Sequence, residues 1–288
     1  MAGLALVNFY ERGREAMGPF WALWLGLSIL LILFSGVWRR PGPRAGMPLY
    51  RNPRSQREYV PLLALCAFTT FIGWLLAQLL YAAMMRAPLS KEGDVALLSP
   101  RDIAFLSLLA SLVGWGVGVS MVRGSRTVEV IGYSLRRLLP GMRDGLFGIF
   151  IAMPFVYVAY TITQRLWMHL TQQPQTQHEL LRVMNNTSSP LVEVAVVLAA
   201  VVAAPLFEEL LFRGFVQGGL RRLVGSRWIA VFVSSALFAA IHDRWTIPPI
   251  FVLSLFLGFA YERKGNLWTS TTMHALFNLF NIITSRMG

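Results

Sequence analysis

The sequence predicts an all-α fold, a polytopic transmembrane helical bundle of about eight membrane segments. Three observations predict it. Of the 288 residues, 55% are hydrophobic and only 14% are charged, against about 25% charged in an average soluble domain. Several apolar runs reach the roughly 20 residues that a helix needs to cross hydrocarbon. The basic residues fall in separate short loops between those runs, so the net charge of +12 reflects topology and implies no nucleic-acid partner.

Taken in order, the stretch 1–18, "MAGLALVNFYERGREAMG", lacks a basic n-region, and Glu11, Arg12, Arg14 and Glu15 follow its short apolar part. It reads as a short interfacial helix, not a signal peptide. Apolar segments follow at about 20–38, 60–84, 103–122, 145–163, 191–216, 228–242, 248–261 and 267–284. The first five are long enough to span. The sixth and seventh are short, with "HDRWTIPP" between them, and read as tilted or partly re-entrant. The linker 39–58, rich in proline, glycine and arginine, reads as a flexible cytoplasmic loop drawn to anionic headgroups.

Loops 39–58, 123–143, 217–227 and 262–266 hold 16 basic residues, against 7 on the intervening loops and the C-terminal tail. The first set is therefore predicted to be cytoplasmic, with both termini outside. Trp21, Trp24, Trp38, Trp167, Trp228, Trp245 and Trp268 fall near segment ends, where indoles favour the headgroup region, while Trp74 and Trp115 read as packing residues. The single cysteine, Cys66, excludes an intramolecular disulfide and reads as a buried, inert thiol. Gly114 and Gly118 form a GxxxG that reads as helix packing. The stretch 171–190, "TQQPQTQHELLRVMNNTSSP", reads as a polar outer loop. Its HELLR lacks the second histidine of a zinc HExxH helix.

Chemistry gathers in the last third of the chain. "APLFEELLFRGFV", 204–216, puts Glu208, Glu209 and Arg213 inside a greasy run, at about 2.5–3.5 kcal/mol per charge even on a lenient insertion scale. His242 ends segment six; His274 and Asn278 lie in segment eight. Glu193, near the start of segment five, reads as reaching the interface. Glu209 and Arg213 are spaced i, i+4 and can form an ion pair. Glu208 lies about 100° around the helix and can face a different neighbour. His274 with Asn278, and Phe238 with His242, each share a helix face. With helix ends at Gln217, Arg227 and Asn266 and ~1.5 Å of rise per residue, Glu208 lies about 14 Å deep, His274 about 12 Å, Asn278 about 18 Å and His242 about 22 Å, out of level with the rest.

A carboxylate with a histidine can hold and deprotonate a water, while a second histidine and an asparagine donate to the developing oxyanion. The same residues could instead ligate a divalent metal through His242, His274 and a glutamate. Bland readings exist for each part: a structural ion pair, an interfacial histidine at a helix end, and interhelical hydrogen-bond glue. Asp243 and Arg244 read as a solvated turn. "GYSL" at 132–135 falls in a basic loop, no HExxH is present, and every aspartate reads as a loop residue, so serine, zincin and aspartyl intramembrane hydrolases are set aside.

"EELLFR" fits EExxxR, "FAAIH" fits FxxxH and "HALFN" fits HxxxN, in that order in successive hydrophobic segments. The chain resembles the CPBP family, the CAAX-protease (Rce1-like) and bacteriocin-processing intramembrane endopeptidases. The resemblance covers about residues 191–284, a catalytic helical core, and leaves 1–190 as N-terminal membrane segments and loops without a diagnostic motif. It implies a site within the bilayer where Glu208 and His242 activate water, His274 and Asn278 stabilise the oxyanion, and Glu209, Arg213 and Phe238 support them. A glutamate mechanism that requires no cofactor is favoured because no open-site zinc motif is present. The alternative is a divalent metal such as zinc on Glu208, His242 and His274. The implied partners are the lipid bilayer and a peptide or protein substrate, prenylated or not, and the implied location is a bacterial inner membrane. Two other classes stay open. A proton-coupled transporter should show repeat symmetry and broken helices, and neither is evident. A non-catalytic scaffold or immunity protein should have lost motif residues, and this chain keeps them all.

Overall fold

A computed structural model of the chain describes residues 20–33, 59–85, 99–123, 131–172 and 179–287. The expected interfacial helix at 1–18 and the linker 39–58 lie outside the described residues. The helices are α1 (Phe20–Leu33), α2 (Tyr59–Met85), α3 (Pro100–Val122), α4 (Leu138–Thr171), α5 (Glu179–Asn185), α6 (Pro190–Val224), α7 (Arg227–Ala240), α8 (Ile247–Lys264) and α9 (Leu267–Met287). Short 3-10 turns, Leu135–Arg137 and Arg244–Thr246, lead into α4 and α8. No strand occurs among the described residues, and the chain is an all-α membrane protein.

Among the described residues each of the eight predicted apolar segments holds a helix, segment one over its described part 20–33, but five of these helices (α2, α3, α4, α6 and α8) are long and apolar enough to cross a membrane. α1 and α7 are shorter. α9 falls outside the five because Thr269, Ser270, Thr271, Thr272, His274 and Asn278 dilute its apolar character. Three boundaries differ from expectation. The predicted outer loop contains α5, whose Leu180, Val183 and Met184 are buried with Ala104, Val192, Val196 and Ile282. α6 does not end at Gln217 but runs to Val224, where Gly225 at φ 77° stops it. α7 ends at Ala240, so His242 lies just past the helix.

Local signals explain the ends. Ser99 caps α3: its hydroxyl accepts from Asp102 N–H at 3.2 Å while the Asp102 carboxylate accepts from Ser99 N–H at 3.2 Å, with Pro100 at the first helical position. Asp102 is thus a helix-start residue, a correction to its reading as a loop aspartate. Asp144 is likewise helical, inside α4, where it pairs with Lys264 at 2.9 Å. Ser226 caps α7 by accepting from Ile229 N–H.

Small residues set how closely the helices approach. A Cβ on Gly114 would come within 2.7 Å of the Phe207 ring, and one on Gly118 within 2.8 Å of the Leu210 side chain. The GxxxG of α3 therefore packs on α6 at the residues flanking Glu208 and Glu209. Trp74 stacks on Phe207 with centroids 5.6 Å apart, in its expected packing role, and Cys66 is buried. Gly141, Gly145 and Gly148 of α4 face Trp268, Thr272 and Met273 of α9 in the same way. The start of α9 is also fixed by hydrogen bonds from Asn266 Nδ2 to Arg137 O at 2.9 Å and from Arg137 Nη1 to Gly265 O at 3.1 Å.

Prolines inside two helices interrupt the backbone ladder. Pro154 of α4 has no N–H for the Phe150 carbonyl one turn earlier, and Trp24 Nε1 of α1 donates to that carbonyl at 2.8 Å. Trp21 stacks on Tyr157 beside it, centroids 4.0 Å apart. In α6, Pro205 would clash with the carbonyl four residues back in a regular helix. The chain is wound as a π-helix over Leu198–Ala203, returns to α over Ala204–Glu209, and is π-wound again over Leu210–Gln217. Wide turns of this kind recur at functional sites, and here they bracket the two glutamates.

Candidate active site

The site is built where α6, α7, α8 and α9 meet. Glu209 and Arg213 are fully buried, with Arg213 Nε 3.2 Å from Glu209 Oε2. The pair is an ion contact without linear hydrogen-bond geometry. Arg213 also donates from Nη2 to Ser254 Oγ of α8 at 3.0 Å, and its guanidinium lies over the Phe238 ring of α7 at 4.7 Å. These contacts offset part of the cost of a buried cation.

The other Glu209 oxygen, Oε1, lies 3.1 Å from His274 Nδ1. A carboxylate accepts, so Nδ1 carries the proton and Nε2 is turned away from Glu209. Nε2 lies 3.8 Å from Glu208 Oε2. The two glutamates thus approach opposite edges of one imidazole instead of facing different neighbours. Glu208 is the more open carboxylate, its side chain 21% exposed against 0% for Glu209.

Phe238 is the hub. Its ring meets His274 edge-on at 5.6 Å, Phe212 edge-on at 5.1 Å and His242 at 4.8 Å. Its carbonyl lies 2.8 Å from His242 Nδ1. A carbonyl can only accept, so His242 donates to it from Nδ1, which leaves Nε2 turned away from that bond. His242 reaches the group through Phe238, with no hydrogen bond or ion pair to either glutamate. Asn278 is anchored on α6, donating from Nδ2 to Ala200 O at 2.7 Å.

With α6 running to Val224, depth reckoned from helix ends levels Glu208 with His242 but no longer with His274 at about 12 Å. Glu208 Oε2 nevertheless lies 3.8 Å from His274 Nε2, so helix ends are a poor reference for depth here. Glu208 lies 16 residues before Val224, about 24 Å along the helix at 1.5 Å per residue, close to the 22 Å or so reckoned for His242 from Arg227. The turn at Asp243 and Arg244 is exposed, as expected. Glu193 does more than reach the interface: it pairs with Arg286 Nη2 at 2.9 Å and ties α6 to the end of α9.

The alternative ligand set of Glu208, His242 and His274 is not gathered in this arrangement. Among the described residues no three His, Cys, Asp or Glu side chains gather closely enough to hold an ion. Four contributors went unread in the sequence: Ser254, Gln217, the Ala200 carbonyl and Pro205. Ser254 and Gln217 are uncharged polar residues in largely apolar helices, and Gln217 donates to Gly258 O and Glu262 Oε1 while accepting from Ser234. Pro205, a proline within a spanning run, was a visible signal of an interrupted ladder.

Residues 190–280 match the family model described as Rce1-like, type II CAAX prenyl endopeptidase. The chain is 33% identical over 81 residues to UPF0177 protein YxdF of Lactococcus lactis subsp. lactis, covering 27% of this chain and 44% of that protein. It is 28% identical over 134 residues to UPF0177 protein YbdI of the same organism, covering 45% and 72%. An uncharacterized 24.3 kDa protein of Escherichia coli is 32% identical over 78 residues, covering 25% and 36%. The chain therefore spans less than half the length of the first of these relatives. No solved structure matches it. Glu208, Glu209, Arg213, Phe238, His242, His274 and Asn278 all lie inside the stretch that matches the Rce1-like, type II CAAX prenyl endopeptidase model.

Proposed function

We propose that the chain is an intramembrane endopeptidase that hydrolyses a peptide bond with water activated by Glu208 and His242. Glu208 takes a proton from the water, and the hydroxide oxygen attacks the scissile carbonyl carbon. His242, donating from Nδ1 to the Phe238 carbonyl, accepts the second water proton in a hydrogen bond at Nε2 and so aims the oxygen. His274 Nε2 and the second N–H of Asn278 Nδ2 donate to the oxyanion. Collapse breaks the C–N bond, and Glu208 returns its proton to the leaving amine. Glu209 and Arg213 hold the His274 imidazole in place.

What supports this reading is the convergence on one His274 ring of both glutamates of the first motif, within the stretch that matches a peptidase family. The substrate is a peptide or protein, prenylated or not, that reaches the site from the bilayer. On this reading the protein sits in a bacterial inner membrane, and the bias of basic residues supports an orientation with both termini outside. The test is cleavage of a quenched peptide panel, prenylated and unprenylated, by purified wild type and Glu208→Ala, each with and without chelator. Cleavage that needs Glu208 and survives chelation supports the mechanism. Loss on chelation with recovery in zinc would overturn it in favour of a metal. Equal turnover by Glu208→Ala would remove Glu208 from the reaction.

A further inference from the structure

We infer that Pro205 is a positioning residue for Asn278, acting through the carbonyl of Ala200; the role in turnover rests on the peptidase reading above. In the wide turn of α6 the N–H of Ala204 bonds to Ala199 O, five residues back. A regular turn would have given that N–H to Ala200 O instead. In the wide register the donor to Ala200 O falls to residue 205, which is proline and has no N–H. Both backbone groups that could serve this carbonyl are thereby removed. The acceptor is met from another helix, by Asn278 Nδ2 at 2.7 Å.

The arrangement fixes more than a helix contact. A primary amide nitrogen carries two hydrogens. With one held on Ala200 O, the amide plane is set and the other hydrogen has a defined direction. An oxyanion donor is effective when it is aimed before the charge develops. Pro205 lies three residues before Glu208, so the same turn of α6 that presents the base also orients the donor on α9. A leucine or alanine at 205 would restore the N–H, close the backbone bond to Ala200 O and release Asn278.

The experiment is a double-variant cycle between Pro205→Ala and Asn278→Ala, read by thermal unfolding of the purified full chain in detergent and by peptide cleavage. In the wild-type background, Asn278→Ala strands the Ala200 carbonyl and should lower Tm by about 2–6 °C. In the Pro205→Ala background the new N–H serves the carbonyl, so the same change should shift Tm by less than about 1 °C. Pro205→Ala alone should leave Tm equal or higher, because alanine is the better helix former. It should lower kcat about 10- to 100-fold, with KM within about twofold. Additive Tm shifts would overturn the inference, whatever the chain cleaves. Coupled Tm shifts with no cleavage by wild type would leave the anchoring in place and count against the peptidase reading alone. Coupled shifts with full kcat in Pro205→Ala would overturn the positioning role.

Discussion

Removing the guanidinium of Arg213 tests the logic of the buried group most directly. Arg213 Nε lies 3.2 Å from Glu209 Oε2, and both side chains are fully buried. At an effective dielectric near 20, two unit charges at that separation attract by about 5 kcal/mol. Removing one partner of a buried pair costs about 3–5 kcal/mol, largely because the other charge is left uncompensated. Arg213→Met keeps the apolar stem against Phe238 but strands Glu209. At about 2–4 °C per kcal/mol the melting temperature should fall by about 6–20 °C, with a matching loss of protein accumulated in membranes. Adding Glu209→Gln removes the stranded charge while leaving an oxygen to accept from His274 Nδ1, and should recover at least half of that loss. Thermal unfolding of the purified single and double variants in one detergent measures both steps. A single variant that melts within about 2 °C of wild type, or a double variant no more stable than the single, would refute the argument.

Other expectations follow from the packing and the loops. A Cβ at Gly145 would meet Thr272 Cβ at 2.7 Å and Thr269 O at 2.8 Å, whereas one at Gly148 would meet the flexible Met273 Sδ. Gly145→Ala should therefore cost about 1–3 kcal/mol and lower cleavage by displacing α9, while Gly148→Ala costs clearly less; paired melts and rates decide it. Trp24→Phe leaves the Phe150 carbonyl unmet and should cost about 0.6–1.7 kcal/mol, a loss that Pro154→Ala should abolish by supplying an N–H. Burial pushes the Tyr133 hydroxyl up to about 12 from an ordinary 10.0, against a smaller opposing effect of the Trp115 N–H that it accepts. The folded chain keeps this proton in a window where the unfolded chain has lost it. Stability should therefore fall by about 1.4 kcal/mol per pH unit between pH 10 and 12, and Tyr133→Phe should flatten that slope in melts across the range.

The membrane character and the site were legible for the same reason: charged residues in apolar runs are rare enough to stand out. Glu208, Glu209 and Arg213 announce themselves, and their pairing with His274 follows once segments five and eight are neighbours. Charge misled at the other end of α6, where Arg221 and Arg222 suggested a loop while Gly225 was the actual stop. α5 was hidden because its buried Leu180, Val183 and Met184 sit among glutamine, asparagine and threonine, too short a period to outweigh the polar flanks. The wide turns of α6 leave no trace in hydropathy. A strict 3.6-residue period separates the two glutamates by about 100°, yet one imidazole has two nitrogens on opposite edges, and each glutamate takes one. That arrangement depends on where α9 lies, which spacing along α6 does not contain.

The bond from Trp24 to the Phe150 carbonyl joins residues 126 positions apart. Translation proceeds at about 5–20 residues per second, so α1 emerges about 6–25 s before the acceptor it will dock on exists. Its second partner, Tyr157, comes later still. α2 and α3, by contrast, pack on each other as immediate neighbours in the chain. The order of assembly therefore differs from the order of synthesis. On this order the first described helix can dock only once the Pro154 segment of α4 has been made. A ribosome stalled before residue 150 would leave α1 inserted but undocked, accessible to a crosslinker that full-length chain excludes.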